Sequence, residues 1–184
     1  MEVALYIKNN MKTIILFILT INLSMFMSCC SKIFPDEKLS MQRMDYNGSE
    51  LRTDGYYYYF TKNNNTVVYF LYKNGIILCA HSYSSQDLNI VEKEMVKIYS
   101  EIRKQKDGWG VFLVSDNKIE YEIWNASTGY SLPTLKRIGF VENDTTFRTT
   151  ETHFSDTQKI DYNEIVYHFK HFANKPDSTN VFIK

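Results

Sequence analysis

Four kinds of side chain in this sequence carry chemistry: the adjacent cysteines Cys29 and Cys30, four histidines, a pair of glutamates two residues apart, and a run of four tyrosines. His168 and His171 are three apart, a spacing that shares one face of a helix but falls on opposite faces of a strand. His81 and His153 stand alone, so the four imidazoles read as surface or partly buried groups rather than metal ligands. A Cys-Cys pair needs further ligands at suitable spacing to hold a metal, and Cys79, the remaining thiol, lies about 50 residues on, inside an apolar run. It reads as a small buried hydrophobe, although Cys30 and Cys79 can also form a disulfide in an oxidising compartment.

Glu120 and Glu122 lie on one face of a strand, near enough to couple their titrations. Their alternation with Ile119, Tyr121 and Ile123 reads as a solvated outer face instead. The sequence holds no His-Glu-x-x-His run, no phosphate-binding glycine loop and no nucleophile elbow. No catalytic residue, metal or cofactor is assigned. Tyr56, Tyr57, Tyr58 and Tyr59 must alternate between core and solvent on a strand. Outward tyrosines offer broad contact area to proteins or sugars at small entropic cost, so the four are candidate partner contacts, although ordinary core packing in a tyrosine-rich sheet is the leading reading.

These groups sit in a chain of 184 residues, 44% hydrophobic and 15% aromatic, which is enough for one domain with a real core. The 21 basic and 21 acidic residues cancel, which argues against nucleic acid as a partner. Fourteen tyrosines and twelve phenylalanines against seven glycines and three prolines favour strands over a helical bundle.

The amino-terminal segment has the order of a secretory signal: Lys12, an apolar stretch from Ile14 to Met27, then Ser28 before Cys29. The stretch is about 14 residues long, whereas a membrane-spanning helix needs about 20. Residues 1–10 add Glu2 and two asparagines where such signals are short and basic, so Met11 is the expected natural start. Leu23 to Cys29 resembles the processing site of bacterial lipoproteins, which are cut before a cysteine that then receives lipid. Phe26 and Met27 depart from the usual residues of that site, and Ser28 conforms. The resemblance implies a signal peptide over 1–28, acylation of Cys29 or alternatively Cys30, and a membrane-anchored protein of the cell envelope. No Asp follows either cysteine, which points to the outer membrane rather than the inner.

Residues 29–50 are polar and show no apolar period, the pattern of a flexible tether, and the β-rich domain is expected over 51–184. "GYYYYF", "TVVYFLY" and "GIILCAHSY" read as three antiparallel strands, with Asn74-Gly75 as a two-residue type I′ turn. Leu88, Val91, Met95, Ile98 and Ile102 lie on one helical stripe, predicting a helix near 86–105 with Ser85 or Asp87 as cap and Gly108 as stop. Two further hairpins and "EIVYHFKHF" bring the count to about eight or nine strands. The fold class is therefore mainly β (α+β), an antiparallel meander forming a curled sheet or small barrel with one inserted helix.

The aromatic strand at Gly55-Tyr56-Tyr57, followed by a meander, loosely resembles lipocalin-like small barrels, although this helix interrupts the strands where lipocalins carry theirs after the barrel. Asp144-Thr145-Thr146 and Asp177-Ser178-Thr179 are similar to the acceptor sites of some Gram-negative O-glycosylation systems, which implies sugars on Thr145 and Ser178; ordinary turn chemistry explains the same residues. The leading expectation is a non-enzymatic envelope lipoprotein that binds a protein or glycan partner. A lipocalin-like carrier of a small apolar ligand is the alternative, and an envelope hydrolase is a third.

Overall fold

The computed structural model describes residues 36–126 and 131–184. Residues 37–184 form one compact unit. Its strands are β1 (Gly55–Phe60), β2 (Thr66–Leu71), β3 (Ile76–Tyr83), β4 (Trp109–Ser115), β5 (Lys118–Trp124), β6 (Thr134–Asn143), β7 (Thr146–Phe154), β8 (Ile160–Asp161) and β9 (Ile165–His171). Helix α1 (Leu88–Ile102) lies between β3 and β4. Every pairing is antiparallel, and the order β1-β2-β3-β4-β5-β6-β7-β9 returns to β1. Eight strands thus close into a barrel, the mainly β architecture expected, while β8 adds a short rung beside the end of β7.

The turns follow from their residues. Asp116 and Asn117 both take positive φ, 51° and 62°, so the type I′ turn joins β4 to β5. Between β2 and β3 only Gly75 is left-handed, at φ 73°, and the Gly75 N–H donates to the Tyr72 carbonyl at 3.0 Å. That is a three-residue loop ending on a left-handed glycine rather than the two-residue turn predicted at Asn74-Gly75. In α1 the Asp87 carboxylate accepts the Asn89 N–H at 2.8 Å and caps the start. Val91, Met95 and Ile102 of the expected stripe are buried, whereas Ile98 is exposed.

The strands carry two apolar faces because the sheet is covered on both. One set, including Tyr57, Tyr69, Phe112, Tyr121, Phe147 and Tyr167, fills the barrel interior. Eight strands enclose a space that side chains can fill. The other set, including Tyr56, Phe70, Ala80 and Trp109, lies under α1 and the carboxy-terminal residues Phe172, Phe182 and Ile183. The barrel has an upper end, where β1, β3, β5 and β7 finish, and a lower end at the Gly75, Asn117 and Asp144 turns.

The segment 37–50, expected as part of a flexible tether, is instead a packed strap, and the folded unit starts at Glu37 rather than near Leu51. The Glu37 N–H donates to the Leu132 carbonyl at 3.0 Å, and Trp124 Nε1 donates to the Glu37 carbonyl at 2.7 Å, so the strap begins at the upper end. It descends over β5 and crosses the β2–β3 turn, where a Cβ on Gly75 would stand 1.9 Å from the Met44 carbonyl oxygen. Tyr46 and Leu51 are then buried against the barrel core at the lower end, with the Leu51 N–H donating to the Tyr46 hydroxyl at 2.7 Å. Residues 29–35 lie outside the described residues.

Candidate functional site

The lower half of the barrel is filled with rings. Tyr57 meets Phe147 and Phe169 at centroid distances of 5.1 and 5.3 Å, and its hydroxyl donates to the Asp144 carbonyl at 2.9 Å. Phe147 stacks on Tyr167 at 4.3 Å, and the Tyr46 ring packs on Phe112 at 5.4 Å. Outside these rings a cleft of about 390 Å³ at the lower end is lined by Asp45, Tyr46, Asn47, Glu50 and Phe112, among others.

The upper half differs because of one residue on β6. Strand alternation turns Leu135, Arg137 and Gly139 to the same side, and Leu135 belongs to the interior cluster. Arg137 Nη1 donates to the Tyr121 hydroxyl at 3.2 Å and also to the Tyr167 hydroxyl, while those two oxygens lie 2.8 Å apart. Its guanidinium carbon stands 5.9 Å from the Tyr59 ring centroid, and Tyr59 in turn meets Tyr69 and Tyr167. Three strands besides β6 therefore bring a tyrosine to one guanidinium, and Tyr69 on a fourth packs behind them.

The electrostatics of this group are one-sided. Burial pushes the Tyr69 and Tyr121 hydroxyls well above the ordinary tyrosine range, and it raises Tyr59 against the opposing pull of Arg137. These phenols stay neutral at physiological pH and supply no counter-charge. Arginine keeps its proton under all such conditions, and no carboxylate among the described residues forms an ion pair with Arg137. Its Nε is buried without a hydrogen-bond partner, as is the hydroxyl of Thr149 on β7. Burial opposes the charge on Arg137, but the oxygens of Tyr121, Tyr167, Tyr69 and Tyr59 around it outweigh that cost and hold its pKa well above the ordinary arginine range. What the site lacks chemically is a negatively charged acceptor.

Arg137 is half-buried although its Nε is sealed, and the lower end is plugged by Tyr46 and Leu51. Around the upper end the interior side chains are apolar: Ile123 and Leu135 are nearly covered, Phe154 and Ile165 less so. Beside them a cleft of about 520 Å³ is lined by Tyr59, Phe60, Lys62, Asn163, Ile165 and His168, among others. Tyr59 thus borders both the cleft and the guanidinium. Cys79 faces the same interior, but burial pushes its thiol up to about 11, which keeps it protonated and a poor nucleophile.

The residues singled out from sequence are dispersed. Tyr56 and Tyr57 are 0% and 1% exposed, one under α1 and one inside the barrel, so these two are core residues rather than the partner contacts expected of an outward face. The reason is that the first half of β1 is covered on both faces, and only its end at Phe60 is wet. Tyr58 is half-buried, packing on Phe60 and His168 at 5.4 and 6.0 Å, and Tyr59 joins the Arg137 group. Glu120 and Glu122 do not share a solvated face either: Glu120 bridges Lys118 and Lys136, whereas Glu122 is 2% exposed beneath the strap. His168 and His171 sit on β9 and His81 on β3, while His153 Nε2 lies 3.0 Å from Glu151.

Among the described residues no group of three or more His, Cys, Asp or Glu side chains comes together as a metal site. Thr145 lies in the β6–β7 turn with its hydroxyl donating to Asn143 Oδ1 at 2.8 Å, and the Ser178 hydroxyl accepts from Asn74 Nδ2 at 2.9 Å. Cys29 and Cys30 lie outside the described residues. Arg137 was not singled out from the sequence. The signal that marks it is its place in "TLKRIGFV", where strand parity puts a cation on the side of Leu135. Compared with known families, curated proteins and solved structures, the chain finds no match.

Proposed function

We propose that this is a non-enzymatic envelope protein, anchored by lipid at Cys29 or alternatively Cys30 in the outer membrane, whose barrel carries a small apolar ligand bearing one anionic group. The observation that carries this reading is the guanidinium of Arg137 inside the barrel with two tyrosine hydroxyls as its hydrogen-bond partners and, among the described residues, no carboxylate. A carboxylate would take the free edge of the guanidinium and accept charge-assisted hydrogen bonds. Its short apolar part would lie among Ile123, Leu135, Phe154 and Ile165. The filled lower half limits the ligand to a small one, and the closed barrel is compatible with such a carrier.

The test is titration of the full-length protein with octanoate and with octanol. Octanoate should bind and octanol should not, and Arg137→Gln should weaken octanoate at least about tenfold, the loss of roughly 1.4 kcal/mol of charge-assisted pairing. Equal binding of acid and alcohol, or an unaffected variant, sinks the reading.

A second reading, binding of a protein or glycan partner in the envelope, is favoured by the cleft at the upper end. Phe60 is 46% exposed there, next to Lys62, Asn163, Glu164 and His168. An aromatic face rimmed by amide and charged groups suits a sugar ring. Loss of binding to envelope glycan on Phe60→Ser, with octanoate binding intact, would favour it.

A further inference from the structure

We infer that Asn47, in the strap, is a site of self-modification: its side chain closes on the backbone nitrogen of Gly48 and opens to isoaspartate, which loosens the strap's lower anchor with time. The sequence holds two Asn-Gly pairs, Asn47-Gly48 and Asn74-Gly75. The reaction needs an unhindered peptide nitrogen, which glycine offers because it has no Cβ. It also needs local freedom for that nitrogen to reach the asparagine side chain. Both pairs meet the first requirement, and the fold grants the second to one of them.

Asn74-Gly75 is clamped. The Gly75 N–H donates to the Tyr72 carbonyl at 3.0 Å, and the Gly75 carbonyl accepts the Phe112 N–H at 3.0 Å. Asn74 Nδ2 donates to the Ser178 hydroxyl at 2.9 Å, and its Oδ1 is buried. Ring closure at this pair must first break several of these bonds. Asn47 and Gly48, by contrast, are both exposed and lie outside helix and strand. Among the described residues neither the Asn47 amide nor the Gly48 N–H has a hydrogen-bond partner.

The chemistry requires only water. A bond forms from the Gly48 nitrogen to Asn47 Cγ, and the Gly48 amide proton leaves with the side-chain nitrogen as ammonia. Water then opens the cyclic imide, at one carbonyl to aspartate and at the other to isoaspartate, whose main chain runs through the β-carbon. The consequence follows from what brackets the site. The Leu51 N–H donates to the Tyr46 hydroxyl at 2.7 Å, and that hydroxyl donates to Glu50 Oε2 at 3.1 Å, so Asn47 lies inside a loop closed by hydrogen bonds. The new negative charge joins Asp45 and Glu50 on an exposed segment, where like charges repel weakly. The added main-chain carbon is the larger effect, because the closed loop absorbs it only by shifting Tyr46 or Leu51, which are anchored in the core.

The test is to age the full-length protein in solution at mildly alkaline pH, digest it with trypsin and weigh the peptides against those of fresh protein. Residues 44–52 carry Asn47, and residues 74–93 carry Asn74. Conversion of amide to acid should run at least about fivefold faster at Asn47, the margin set by the hydrogen bonds that Asn74-Gly75 must break. Chromatography should separate an isoaspartyl form of the 44–52 peptide. Gly48→Ala should slow the conversion severalfold by crowding the nitrogen, since the side chains that its Cβ would meet, Glu50 at 1.9 Å and Tyr46 at 2.8 Å, can turn aside. Brief trypsin treatment of the folded, aged protein should cut after Arg43 severalfold faster than in Asn47→Gln protein aged in parallel. Equal conversion at the two pairs, or no isoaspartyl product at Asn47, overturns the modification. Conversion at Asn47 with unchanged cleavage after Arg43 overturns the loosening.

Discussion

Glu122 on β5 holds the strap: its Oε2 accepts the backbone N–H groups of Ser40 and Met41 at 2.7 and 2.8 Å and the Ser40 hydroxyl at 3.0 Å. The carboxylate is 2% exposed, so these three donors replace its water. Hydrogen bonds to a charged acceptor contribute about 1.5–3 kcal/mol each.

Replacing Glu122 by Ala should therefore free the strap while the barrel persists. Trypsin cleavage after Arg43, which is exposed in the strap, should accelerate on the order of tenfold or more, with Glu122→Gln intermediate. Unchanged cleavage would mean that Tyr46 and Leu51 alone hold the segment.

Arg137 predicts an opposition between stability and binding. A half-buried cation with hydroxyl partners and no ion pair gains little stability from its charge, and exchange for an apolar residue of similar length is often neutral or favourable. Arg137→Met should raise the free energy of unfolding by about 1–3 kcal/mol while abolishing octanoate binding. A destabilised variant in urea titration would show that the tyrosine hydroxyls satisfy the guanidinium fully.

Lys175 gives a pH dependence. Its Nζ donates to the carbonyls of Thr53 and Leu71, both at 2.5 Å, and lies 4.3 Å from the Tyr72 ring centroid. Burial lowers its pKa from 10.5 to about 7. Between those values the unfolded chain binds the extra proton, so stability rises with pH through the window. Wild-type protein should be more stable at pH 9.5 than at pH 6.5 by on the order of 1–3 kcal/mol, and Lys175→Met should lose most of that difference. Identical slopes in the two proteins would place the ammonium in a better-compensated site.

The anchor is tested by intact mass and membrane partition. Cys29→Ala should lose the lipid mass and leave the membrane, while Cys30→Ala should keep both. Retention of lipid by Cys29→Ala would move the anchor to Cys30. The same spectra read Thr145 and Ser178, where hexose increments are expected and their absence would end that proposal.

The barrel was legible because its strands are long aromatic and β-branched runs, and α1 because Val91, Met95 and Ile102 repeat at helical spacing. The strap was not. It is polar, has no period, and binds through backbone N–H groups, the Trp124 indole and the isolated side chains of Tyr46 and Leu51, which leave no pattern in sequence. Glu122 was misread for the same reason, because alternation says which side of a strand a residue faces but not what covers that side. Tyr56 and Tyr57 follow the core-packing reading of the tyrosine run, because both faces of β1 are covered at their level. The Arg137 site was hidden by distance: its tyrosines come from β1, β2, β5 and β9, which only barrel closure brings together.

Ring closure also decides how another protein can approach. A sheet with a free margin invites an incoming peptide to add itself as the next strand. Here β6 joins β7 and β9 joins β1, so every long strand already has neighbours on both sides. The exception is the two-residue β8, flanked by the ion pair of Lys159 and Asp161. A peptide that reads its target by backbone pairing finds little template beyond the upper part of β3, where pairing with β4 stops at Leu78, so recognition goes mainly through side chains at the loops and rim.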